Sequence, residues 1–168
     1  MKLLAIFAAV LATSAAPAPS WKLAPSGLGP ARIGMTREQV SQVLHVELQG
    51  NFIDNEGACQ ELVGVDDALV GLFFMFEDGK LTRISASEPS AVVTPRGIHV
   101  GSTAEEVRKA YGAELKVEPH HYEAPPAEYL TYWLKPEKSG VRFETDVNGK
   151  VETIHAGDSS IQLVEGCA

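Results

Sequence analysis

The chain has 168 residues, enough for one sizeable core but not for several domains. It carries 22 acidic against 14 basic residues and a net charge of −8, with no basic cluster. That balance excludes nucleic acid as a partner, because Lys and Arg on phosphates supply most such affinity, and it disfavours anionic membrane surfaces.

In chain order, residues 1–20 read as a secretory signal peptide. Lys2 is followed by an apolar run, Leu3 to Ala12, and by the small and proline-rich stretch that ends at Ser20. The run is shorter than the roughly 18 residues a membrane span needs. With no cysteine near the cleavage region to carry a lipid, no membrane anchor is expected. The mature chain, residues 21–168, is then a periplasmic or secreted single domain. Loss of Lys2 leaves 13 basic against 22 acidic residues, a net charge of −9.

Two motifs recur about 67 to 70 residues apart. Gly34-Met35-Thr36-Arg37-Glu38-Gln39-Val40 is echoed by Gly101-Ser102-Thr103-Ala104-Glu105-Glu106-Val107. Glu77-Asp78-Gly79-Lys80-Leu81 is echoed by Val147-Asn148-Gly149-Lys150-Val151. The first motif starts a helix: Thr36 with Gln39, and Thr103 with Glu106, form capping boxes. Val40, Val43 and Leu44, and then Val107, Ala110 and Tyr111, follow at helical spacing, and Gly112 suits a helix end. In the first motif Met35 can staple onto Val40.

The second motif marks hairpins. Asp78-Gly79 and Asn148-Gly149 favour type I′ turns, joining Leu69–Phe76 to Leu81–Ser87 and Val141–Val147 to Val151–Ala156. Cys59–Val63 and Tyr129–Leu134 are expected as third strands, and Ile161–Val164 as a last short one. The fold class is therefore α+β. Two tandem helix-plus-antiparallel-hairpin repeats, about 26–92 and 93–164, form one sheet with the helices packed on one face. Aligned on the turns, Phe73 matches Phe143 and faces the helices. Phe74 and Phe76 then point to the face that carries Arg142 and Glu144 in the second repeat. Tyr132 and Trp133 fall on opposite faces of their strand.

The Ile33-Gly34-Met35-Thr36 start, with Val40 and Leu44 and the Gly-Lys hairpins, resembles two groups. These are the SmpA/OmlA family of outer-membrane assembly lipoproteins and the tandem-repeat beta-lactamase inhibitory proteins. The resemblance implies a small envelope module or an inhibitor-like fold. The lipidated cysteine of the first group is absent, and the inhibitors place a disulfide within each repeat.

Cys59 and Cys167 are the only cysteines. Export places them in an oxidising compartment, so a disulfide joining the two repeats is expected. The five histidines, His45, His99, His120, His121 and His155, match no metal-ligand spacing, and no metal or other cofactor is implied. No serine, Ser85 included, lies in a nucleophile elbow. The expected function is non-catalytic binding of another exported or envelope protein, with Phe74, Phe76 and Tyr132 as candidate contacts. The alternative is a small-molecule or envelope-polymer binder, with a cleft between the repeats lined by Tyr122, Tyr129 and Trp133. A hydrolase is a third reading. The sequence leaves the oligomeric state open.

Overall fold

A computed structural model describes residues 20–50 and 58–167, so the signal-peptide reading lies outside the described residues. Three two-residue strands come first: β1 (Leu23–Ala24), β2 (Gly27–Leu28) and β3 (Ala31–Arg32), which form a small antiparallel sheet. Helix α1 (Arg37–Leu44) follows, then β4 (Leu48–Gln49), β5 (Cys59–Gly64), β6 (Leu72–Glu77) and β7 (Lys80–Ser87). After α2 (Ala104–Tyr111) come β8 (Leu115–Pro119), β9 (Glu128–Lys135), β10 (Ser139–Thr145) and β11 (Val151–Gly157). The eight strands β4 to β11 make one antiparallel sheet in the order β4-β5-β6-β7-β11-β10-β9-β8. The protein is thus α+β and dominated by its sheet.

Both helices start on reciprocal capping boxes. The Thr36 hydroxyl accepts the Gln39 N–H while the Gln39 side chain accepts the Thr36 N–H, and Thr103 with Glu106 does the same. Two otherwise orphaned donors are satisfied at each helix start. α2 ends at Gly112, whose φ of 64° suits glycine. The residues preceding each cap dock on the sheet. Gly34 N–H donates to the Leu81 carbonyl and Leu81 N–H to that of Met35; Gly101 N–H donates to Val151 and Val151 N–H to Ser102. The motif is therefore a docking site as well as a cap, placing each helix against the strand that follows a hairpin turn.

One core collects Val40 and Leu44 of α1, Val107 and Tyr111 of α2, and Leu23, Leu28 and Ala31 of the small sheet. It closes on one face of the large sheet through Leu62, Leu72, Phe74, Ile84, Leu130, Val141, Phe143 and Ile154. Met35 packs against the same core. The helices, of eight residues each, are too short to be stable alone and depend on this packing.

Several expectations are corrected. Ile161 lies in a 3-10 turn, Ser159–Gln162, not in a strand, because Asp158 caps that turn by accepting the Ser160 N–H. Each helix is followed by four strands and not three, since β4 and β8 add outer members. The hairpin turns also differ in kind. Asp78 and Gly79 both have positive φ, 49° and 72°, as a type I′ turn demands. In the second hairpin only Gly149 does, at 67°, while Gly149 N–H donates to Asp146 and the Asp146 carboxylate accepts from Asn148 and Lys150. Asp146 N–H also bonds the Lys150 carbonyl, and the loop inside that pair holds three residues, one more than the two between Glu77 and Lys80.

One extra residue reverses side-chain parity along a strand. Phe74 pairs with Ile84 as Phe143 pairs with Ile154, so Phe74, not Phe73, is the counterpart of Phe143. Phe74 and Phe76 are 0% and 2% exposed and belong to the core. Tyr132 is interior as well, its ring centroid 5.2 Å from that of Tyr111, with the Arg96 guanidinium over both rings. The three candidate contact residues are thus core residues.

Candidate functional site

The face of the sheet turned away from the helices is built from the other set of alternating residues. Strand register lays them out in rows. One row runs Phe73, Ser85, His155, Arg142, Thr131, Lys116 across β6, β7, β11, β10, β9 and β8. The next row on one side carries Ser87, Thr153, Glu144, Tyr129 and Glu118. On the other side come Glu61, Met75, Arg83, Gly157, Gly140 and Trp133. The indole of Trp133 lies over Gly140, where an added Cβ would come within 2.6 Å of the ring.

Charged and polar groups on this face satisfy one another. Ser85 Oγ is 2.8 Å from His155 Nδ1, and His155 Nε2 is 3.5 Å from Glu144 Oε2. The second oxygen of Glu144 lies 2.6 Å from His120 Nε2. His120 Nδ1 accepts the backbone N–H groups of Tyr122 and Glu123, so its proton sits on Nε2 and is donated to Glu144. The His120 ring stacks on Tyr129 at 4.7 Å, and the Arg142 guanidinium sits 3.8 Å from the centre of the same Tyr129 ring. Burial pushes the His155 imidazole below its ordinary value, partly offset by its bond to Glu144. Burial alone would raise the Glu144 carboxyl, but the hydrogen bonds it accepts from His155 and His120 hold it below the ordinary carboxylate range. Glu144 is thus the anionic hub between two imidazoles.

Two segments cover this network. After β11 the chain turns back as a strap, with Asp158 N–H bonded to the Thr82 carbonyl and the 3-10 turn packed on β7, β10 and β11. Ile161 is buried beneath it. Arg83, itself 3% exposed, is the peg: its Nη1 donates to the carbonyls of Ser160 and Leu163 at 3.1 and 3.0 Å. Its Nη2 lies 3.6 Å from Glu61 Oε1. Burial lowers the Arg83 pKa and the Glu61 charge opposes that shift. The strap ends in the expected disulfide, Cys59–Cys167, with the two Cα atoms 5.5 Å apart. From the other side, the loop after β8 folds over Glu144 through His120 and reaches the strap through Tyr122, whose hydroxyl donates to the Glu165 carboxylate.

The Ser85–His155–Glu144 string has the order of a nucleophile with its base and orienting acid. Ser85, however, is in the middle of β7 and paired on both sides, with Phe73 and with His155. The neighbouring backbone N–H groups belong to the ladder, so they do not form an oxyanion pocket. Ser85 is also 5% exposed, out of reach of a bulky substrate. His120 and His155 bond opposite oxygens of Glu144 and do not converge on a point. Among the described residues no three His, Cys, Asp or Glu side chains are grouped to hold a metal ion.

Of the residues proposed for a cleft, Tyr122 and Tyr129 both adjoin His120, and Trp133 is set apart over Gly140. Tyr129 is 4% exposed and its ring is covered by His120 and Arg142. Four surface clefts of about 290 to 600 Å³ are lined by other residues. Sequence reasoning missed Arg83, Ser85 and His155 as partners. The signal available for them was alternation: Arg83 and Ser85 share the parity of β7 that points away from Ile84, and the β11 partner of Ser85 is His155. Comparison with known proteins adds no assignment: no family model, no curated protein and no solved structure matches the chain.

Proposed function

We propose that this is an exported, non-catalytic protein that binds another exported or envelope protein where the two covers of the open face meet. The observation that carries this reading is the placement of Tyr122. The residue is 62% exposed, yet it is tethered through its hydroxyl to Glu165 of the strap, which follows the exposed Leu163 and Val164 in sequence. A held aromatic ring with aliphatic flanks is the kind of anchor that carries binding energy, and exposed apolar patches mark interaction sites. The acidic surface favours a partner that presents a basic or neutral one.

Several further points support the reading. The two capping motifs make matching bonds to Leu81 and Val151, and the halves of the large sheet run in mirrored order outward from β7 and β11. On these grounds we read the chain as a tandem repeat, in line with the inhibitor-like and SmpA-like resemblance of its motifs. The disulfide suits a periplasmic or secreted location, and no described helix is long and apolar enough to cross a membrane. A small-molecule cleft at Tyr122, Tyr129 and Trp133 is less well supported, because Tyr129 has its ring covered.

The test is capture of partners from an envelope extract by tagged protein comprising residues 21–168, compared with Tyr122→Ala and Leu163→Ser. Each variant is expected to weaken capture of the same partner by about tenfold or more, the loss typical of an anchor residue. Undiminished capture by both variants would place the partner surface elsewhere.

A further inference from the structure

The outer strand β8 is the long free edge of the large sheet, and its sequence is complementary to itself. β8 pairs only with β9 among the described strands, and that pairing continues past the strand end through the His120 N–H bonded to the Ala127 carbonyl at 3.2 Å. Successive residues of a strand direct their backbone groups to opposite sides. Since His120 bonds inward, Glu118 and Lys116 do too, and Leu115, Val117 and Pro119 direct their backbone groups outward. Val117 is 48% exposed although its register partner, Leu130, is fully buried in the core. Beside it lies an open cleft of about 600 Å³ lined in part by Ala104, Arg108, Val117, Pro125 and Pro126.

We infer that β8 is a homodimer edge, and that a second copy of this chain pairs with it antiparallel about a two-fold axis at Val117. In that register the two Val117 residues exchange both N–H···O bonds, and each Leu115 N–H reaches the Pro119 carbonyl of the other copy. Proline has no N–H to give, and here none is needed except opposite one Leu115 carbonyl per copy, so Pro119 ends the ladder without blocking it. Across the open face each Lys116 stands opposite Glu118 of the other copy. Within one strand these side chains pair at 2.9 Å and are 58% and 35% exposed, so across the axis the two pairs join into one cluster of alternating charge. A register centred one residue either way sets Lys116 against Lys116 or Glu118 against Glu118, which is destabilising. The charge order therefore selects the Val117 register, and the contact is isologous and closed. It joins two eight-stranded sheets into one of sixteen and covers the exposed Val117. A five-residue ladder is a small interface, so the dimer is concentration-dependent. The inference rests on the pairing and charge order of β8 and uses neither Tyr122 nor the strap, so it stands independently of the partner reading.

Analytical ultracentrifugation of the oxidised mature protein, from micromolar concentrations to about 1 mM, tests it. The expected result is reversible monomer–dimer exchange. Lys116→Glu alone and Glu118→Lys alone are each expected to weaken the dimer by about tenfold or more, because two cross-strand pairs become like-charged. The double variant Lys116→Glu with Glu118→Lys restores the wild-type affinity. The inference is overturned by a monomer at every concentration, by a dimer insensitive to the single reversals, or by a double variant that stays dissociated.

Discussion

Replacing Cys59 and Cys167 with serine opens a covalent loop that spans most of the folded chain, with a sequence separation of 108. In the chain-entropy account, cross-linking a loop of that length removes about 16 cal/mol/K from the unfolded ensemble, or about 4.8 kcal/mol at 25 °C. Measured losses for native bridges run from about 2 to 5 kcal/mol, so the full figure is an upper value. At about 2–4 °C per kcal/mol for a chain of this size, the melting temperature falls by about 10–19 °C at that limit. The folded state changes little, because Arg83 still holds two strap carbonyls and Ile161 remains buried. The assay is calorimetry and urea unfolding of the oxidised protein and the double serine variant, followed by circular dichroism. Two signs are expected together: a lower midpoint, and a steeper denaturant dependence because the uncrosslinked unfolded chain exposes more surface. A melting shift under about 3 °C with an unchanged slope would show that the bridge does not constrain the unfolded chain, and the argument fails.

Replacing Arg83 with Met strips two strap carbonyls and the Glu61 carboxylate of their shared donor, and a loss of about 3–5 kcal/mol is expected in urea unfolding. Hydrogen exchange at Leu163 should rise further in that variant than in Glu61→Gln, which leaves the carbonyl bonds in place. Stability should also depend on acid through the network on the open face. The folded-state value of His155 is depressed, so below about pH 6.5 the unfolded chain takes up the proton first. The stabilisation from keeping His155 neutral is therefore complete above that pH and is lost as pH falls toward the folded value. The slope is at most about 1.4 kcal/mol per pH unit. Glu144 adds a second loss at lower pH, beginning near its unfolded value of about 4.5 and completed as pH falls through its depressed folded value. Unfolding curves at pH 7, 6, 5, 4 and 3 check this, and His155→Asn should flatten the profile between pH 7 and 5 while leaving the loss at lower pH.

Local chemistry wrote the caps plainly. Thr36 with Gln39 and Thr103 with Glu106 satisfy donors within four residues, so their partners are legible in order along the chain. Asp78-Gly79 is equally self-contained. The strands β6, β7, β9, β10 and β11 were also readable, because alternation and turn residues act over short distances. What failed was parity. A hairpin loop one residue longer turned Phe74 and Phe76 inward, and the sequence shows loop identity more clearly than loop length. The network on the open face depends on pairing β7 with β11, where Ser85 meets His155 from 70 residues away. No local signal carries that register. The strap reads as a strand because Ile161, Leu163 and Val164 are apolar and only Asp158 marks a turn. Its peg, Arg83, belongs to a different strand altogether.

The seam between β7 and β11 also has a consequence for how the chain assembles. Its ladder matches Ser87 to Thr153 and Arg83 to Gly157, partners separated by 66 and 74 positions, while β7 meets β6 across a two-residue turn. Until β11 has been made and delivered, one side of β7 is a bare, eight-residue strand with Ile84 and Ala86 on its apolar face. Contacts of such long range form late. A chain caught at that stage offers its open edge to the β11 of a neighbour as readily as to its own, so the kinetic hazard at high concentration during refolding is exchange of whole halves between copies.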